Sequence, residues 1–143
     1  MRPFEDNHAP DRTTDVCDEI YQHLLAGKIV ILDLSVGNPE QRERLSKRIA
    51  RHILSNSMFV FNTGKIPPNI VIYIEEAHNL IGKHEPLTEV WPTIAKEGAK
   101  ARLATVYATQ EVSSIHPNIL SNTENILCSH LNNENEINEL AKY

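Results

Sequence analysis

The sequence predicts an α/β domain in which a parallel sheet is covered by helices on both faces, giving three layers. Three observations carry this. Short apolar runs rich in branched residues recur along the chain, as buried parallel strands do. Stretches of helical periodicity separate them. Each run ends on polar residues: Asp33, Glu75-Glu76, Thr109-Gln110 and Asn132. One edge of the sheet therefore gathers polar groups, and open α/β sheets bind ligands at that edge.

Residues 1–13 are polar, with two prolines, and read as a loose leader; 14–143 read as one domain. Thr14 suits a helix N-cap, and Val16, Ile20, Leu24 and Leu25 recur at helical spacing before Gly27 ends the helix. Residues 28–34 form the first expected strand. Asn38-Pro39-Glu40 opens a second helix with a cap, a proline and an acid, and Leu45, Ile49 and Ile53 form its apolar stripe. Pro67-Pro68 marks a loop before the second strand, 70–75. A helix is expected over 85–100, with Pro92 marking its true first turn. The third strand is 103–109, a short helix follows Pro117, and the fourth strand is 126–131. A last helix from Asn133 should turn Ile137 and Leu140 inward.

Composition narrows the class. With 143 residues, 41% hydrophobic and 23% charged, the chain suits one globular domain. About two-thirds of the unfolded surface becomes buried at this size. Fourteen basic against 19 acidic residues leave a charge of −5, which argues against a nucleic-acid-coating protein. Cys17 and Cys128 stand far apart. That spacing suggests neither a paired-cysteine zinc site nor a disulfide framework, and lone thiols fit a reducing cytoplasm. No apolar core of a signal peptide opens the sequence, and no run reaches the ~20 residues of a membrane span.

The sharpest motif is Ile70-Val71-Ile72-Tyr73-Ile74-Glu75-Glu76-Ala77-His78-Asn79, a strand delivering two carboxylates to the sheet edge. In nucleoside triphosphatases the first such acid holds Mg²⁺ through water, and the second orients and deprotonates the attacking water. Gln110 follows another strand. An amide there can bond both a γ-phosphate and the lytic water. Read singly, each is an ordinary strand end with solvated polar groups.

Read together, these segments resemble a family. From Gly27 onward the chain is similar to the C-terminal part of the HerA-type ATPases, in the FtsK–HerA branch of P-loop NTPases. The resemblance is carried by Gly27-Lys28-Ile29-Val30-Ile31-Leu32-Asp33-Leu34-Ser35, by Tyr73 through Leu80, and by Ala95-Lys96-Glu97-Gly98-Ala99-Lys100. Tyr107 through Leu120 and His130-Leu131-Asn132-Asn133-Glu134 complete it. It implies a partial RecA-like P-loop NTPase core. Glu75 falls at the Walker B acid and would hold Mg²⁺ through water; Glu76 falls at the catalytic glutamate, and Gln110 at the sensor glutamine. A complete subunit would use ATP and Mg²⁺, form a homo-oligomeric ring, move on DNA and work with a nuclease or effector partner. Membrane association is not implied.

Three departures qualify this. Glu75 replaces the usual aspartate. The family's Gly-Arg-Lys is here Gly98-Ala99-Lys100-Ala101-Arg102, so its intersubunit arginine is displaced or absent. No G-x-x-x-x-G-K-[ST] occurs; Thr63-Gly64-Lys65 lacks the earlier glycine and precedes a strand. The chain is therefore expected to be inactive alone, either as a partial ATPase or as a non-catalytic module that binds ATPase subunits or an effector. With the P-loop strand missing, 70–75 should lie between 28–34 and 103–109; beside 103–109 the slot is filled by 126–131, by residues of the leader 1–13 or by a strand of another chain, and direct pairing of 126–131 with 103–109 is the favoured outcome. Arg44, Lys47, Arg48 and Arg51 line one helix side and read as a solvated face before a phosphate-binding one. His78 reads as a local hydrogen-bonding group, Trp91 as packing, and both cysteines as core or near-core thiols.

Overall fold

The computed structural model describes residues 14–34 and 38–143; the expected leader and Ser35 lie outside them. Helix α1 spans Val16–Leu25. Its cap is Asp15, one residue later than expected, because the Asp15 carboxylate accepts the Cys17 N–H at 2.8 Å. The guanidinium of Arg48 holds the same carboxylate. Gly27, at φ 71°, closes the helix in the left-handed conformation that glycine adopts most easily. Helix α2 spans Pro39–Asn62, with Asn38 Oδ1 accepting the Gln41 N–H at 2.8 Å and Pro39 in the first turn. Ile49, Ala50 and Ile53 are its buried stripe, joined by Ser46 and Ser57.

Strands β1 (Ile70–Ile74) and β2 (Leu103–Tyr107) pair in parallel, Ile70 opposite Leu103 and Ile74 opposite Tyr107. Between them lies α3, Val90–Glu97. Pro92 sits in its first turn, where the missing N–H breaks no helical bond. Residues 85–89, expected to be helical, are instead irregular, with a turn at 87–88. Beyond β2, α4 (Pro117–Ser121) is capped by the His116 imidazole, and α5 (Glu134–Leu140) by Asn133.

The architecture is α/β, but the described residues form a sheet of two strands covered on one face. Ile70, Ile74 and Leu103 join one core with Ile20 of α1, Ile53 of α2, Trp91 of α3 and Leu120 of α4. On the opposite face Val71, Tyr73 and Val106 are 63%, 58% and 49% exposed. The expected third layer is not formed by the described residues.

Two expected strands are not strands. Residues 28–34 carry no ladder, although Val30 packs on the core while Ile29 and Ile31 point outward. The segment stands off β1 across a cavity of about 560 Å³, lined by both. Residues 126–131 are likewise unpaired, with Leu127 fully exposed and Cys128 exposed rather than near the core. The expected pairing with 103–109 therefore does not occur. Its physical reason lies at the flanks of the segment. Thr123 is tied to the Tyr107 hydroxyl at 2.6 Å, and Glu136 to the Ser113 N–H at 2.8 Å. Both anchors sit at or beyond the carboxyl end of β2, so the chain between them is not led alongside the strand. In α5 the buried residue is Glu136, whereas Ile137, expected inward, is 46% exposed.

Candidate functional site at the carboxyl ends of the strands

The register of the sheet continues past both strands. Ala108 N–H donates to the Ile74 carbonyl, and Ala77 N–H to the Ala108 carbonyl, each at 2.9 Å. Glu75 and Glu76 are the residues between those two bonds. The chain passes there from extended strand to a 3-10 turn over Ala77–Asn79, and Glu76 takes a left-handed conformation, φ 48°, ψ 49°. That conformation is uncommon for a residue with a Cβ and clusters at functional sites.

The turn sends the two carboxylates to different partners. Glu75 accepts the Tyr73 hydroxyl at 2.7 Å on the exposed sheet face, which pushes the phenol up from its ordinary range. Glu76 reaches the tip of β2, where Gln110 Nε2 donates to its Oε1 at 3.0 Å. Two of the three residues singled out from sequence are thus directly bonded, and Glu75 is bonded elsewhere. His78 Nδ1 lies 3.6 Å from Glu76 Oε2 and 3.1 Å from Thr109 Oγ1, and Asn79 Nδ2 lies 3.3 Å from His78 Nε2. His78 is therefore a local hydrogen-bonding group, as the sequence suggests. Thr109 and Asn79 carried only a weak signal, their positions beside Gln110 and His78.

The basic stripe of α2 is largely engaged within the chain. Lys47 Nζ lies 2.6 Å from both Glu43 and Glu85 and 3.8 Å from Glu89. Burial alone would lower this ammonium; the bonds to Glu43 and Glu85 outweigh burial and hold it above the ordinary lysine range. Arg48 pairs with Asp15 and Arg51 with Glu89, while Arg44 is exposed. Among the described residues no three His, Cys, Asp or Glu side chains converge as a metal-binding group.

Glu75 is exposed, so its carboxylate suits a water-mediated Mg²⁺ contact. The Gly64-Lys65 turn is not placed as a cradle for a triphosphate. Gly64-Lys65 follows the C-terminus of α2, with Gly64 at φ 74° closing that helix. A phosphate loop leads into a helix N-terminus, where N–H groups and the dipole attract anions; the C-terminal end repels them. No step of nucleotide hydrolysis follows from this chain's residues alone.

The fold and the site define an α/β domain with a polar cluster at the carboxyl tips of two adjacent parallel strands. Comparison with known proteins finds no matching family model, no matching curated protein and no matching solved structure. No helix among the described residues is long and apolar enough to cross a membrane.

Proposed function

We propose that this chain carries the water-activating half of a HerA-type ATP hydrolysis site, within the C-terminal part of a RecA-like core. A second polypeptide segment would supply the phosphate-binding half. One observation carries the reading: the 3.0 Å bond from Gln110 Nε2 to Glu76 Oε1, between the tips of adjacent parallel strands. A carboxylate able to take a proton beside an amide able to orient water is the pair that water attack on a γ-phosphate needs. Glu75 would contribute to Mg²⁺ through water. In a complete assembly the expected setting is a cytoplasmic ring acting on DNA with a nuclease or effector.

The purified chain should turn over no ATP, because positioning supplies most of the rate in phosphoryl transfer. Mixed with a HerA-type fragment bearing G-x-x-x-x-G-K-[ST], it should restore turnover. In that mixture Glu76→Gln should retain binding of a fluorescent ATP analogue and abolish phosphate release. Equal loss of binding and turnover would make Glu76 a structural residue. Turnover by the chain alone that vanishes with Glu76→Gln would show the site to be complete as it stands.

A second reading, a non-catalytic interaction module, is favoured by the bare sheet face of Val71, Tyr73 and Val106. Binding of the P-loop fragment without any restored hydrolysis would select it.

A further inference from the structure

The bond between Gln110 and Glu76 is too weak to organise itself. Gln110 is exposed and the Glu76 side chain is 49% exposed. A hydrogen bond between exposed groups gains little over the bonds to water it replaces, while fixing two long side chains costs each its rotamer freedom. Something else must aim the amide.

The Thr109 hydroxyl is placed to do so. It accepts the Glu111 N–H at 3.0 Å and donates to the Glu111 carbonyl at 3.2 Å, which makes Gln110 the apex of a closed turn. With its proton turned to that carbonyl, the hydroxyl is free to accept from His78 Nδ1, 3.1 Å away. The other ring nitrogen agrees: the Asn79 amide donates to Nε2, leaving the proton on Nδ1. The Nε2 end thus specifies the tautomer, and the Nδ1 end suits it. His78 is 17% exposed and stands between the two strand tips, with Glu76 Oε2 3.6 Å from the same nitrogen. A second cross-link between the tips therefore runs beside the first and holds the turn that presents Gln110.

We infer that His78 and Thr109 are positioning residues that aim the Gln110 amide at Glu76. The functional meaning of this assignment rests on the proposal that Glu76 and Gln110 form one site. Its geometry can be tested on the free chain.

In nitrogen-15 NMR of the purified chain, His78 should show a protonated Nδ1 and an unprotonated Nε2. The Gln110 side-chain amide protons should be resolved from those of exposed Gln22. Thr109→Val should collapse the Gln110 pair onto the Gln22 positions. Thr109→Ser, which restores the hydroxyl, and His78→Asn, whose amide replaces Nδ1–H, should keep it distinct. In the ATPase assembly with the P-loop fragment, Thr109→Val should lower kcat about tenfold to a hundredfold at unchanged KM, with recovery in Thr109→Ser. Gln110 signals unchanged in a folded Thr109→Val chain, or lost equally in Thr109→Ser, would overturn the assignment. If Thr109→Val does not fold, the Thr109→Ser and His78→Asn spectra decide, since loss of the Gln110 signature in both refutes it. Failure of the functional proposal would look different: Glu76→Gln would leave turnover intact in the assembly, while the NMR results stood.

Discussion

Glu76 holds a backbone conformation that costs a residue with a Cβ about 1–2 kcal/mol relative to glycine. The position is set by the bonds on either side, Ala108 to Ile74 and Ala77 to Ala108, which leave two residues to make the turn. Glu76→Gly and Glu76→Ala both remove the bond to Gln110, but only glycine relieves the backbone. Glu76→Gly should therefore be more stable than Glu76→Ala by about 1 kcal/mol in urea denaturation. Equal midpoints would show that no strain is stored there. The nearness of Glu76 and Gln110 was readable from sequence, because each follows an apolar run and adjacent parallel strands deliver such residues to one edge. The hydroxyl–imidazole contact of Thr109 and His78 was not, because it depends on the register of the two strands.

At the scale of elements, α5 docks through a carboxylate. Periodicity put Ile137 and Leu140 inward; Leu140 is half-buried, Ile137 is exposed, and Glu136 is the residue that is only 8% exposed. Its oxygens accept from the Ser113 N–H at 2.8 Å and the Ser113 hydroxyl at 2.5 Å, capping the 3-10 turn over Val112–Ser114. Burial alone would raise this carboxyl; the bonds from Ser113, with a further one from the Val112 N–H, outweigh burial and hold it below its ordinary 4.5. A lowered folded value means the stabilisation is complete above the unfolded value and is lost as pH falls through the folded one. Docking of α5 should therefore weaken in acid below about pH 4.5. Amide exchange at Ser113 would report it, and Glu136→Gln should flatten that dependence. Unchanged acid sensitivity in Glu136→Gln would assign it to another group. A helix of seven residues has too little apolar area for its pattern to decide which side turns inward.

Across the whole molecule, the two-stranded sheet of the described residues is covered on one face and bare on the other. In a parallel pair alternate residues turn their backbone groups to each side. Ile70 N–H meets the Arg102 carbonyl and Ala108 N–H the Ile74 carbonyl, so Leu103, Thr105 and Tyr107 turn theirs away from β1. That outer edge has no strand beside it among the described residues, and Val71, Tyr73 and Val106 leave one face bare. Open edges and apolar faces promote association. Val106→Lys should reduce concentration-dependent self-association in sedimentation experiments while changing stability by no more than about 0.5 kcal/mol. A loss well above 1 kcal/mol would mean that the face is covered within the folded chain.

The sequence by itself determined the alternation of helices and apolar runs, most helix boundaries, the part of the core that the helix stripes supply, and the lack of a phosphate-loop motif. Asn38-Pro39, Gly27 and His116-Pro117 act locally, because a helix closes its hydrogen bonds within its own turn and a cap satisfies the groups left over. Only the tertiary structure decided which apolar runs become strands. Residues 28–34, 70–74, 103–107 and 126–131 read alike, yet only the middle two pair. Every ladder bond of a strand belongs to another segment, so its composition states a capacity for pairing and its neighbours decide whether pairing occurs.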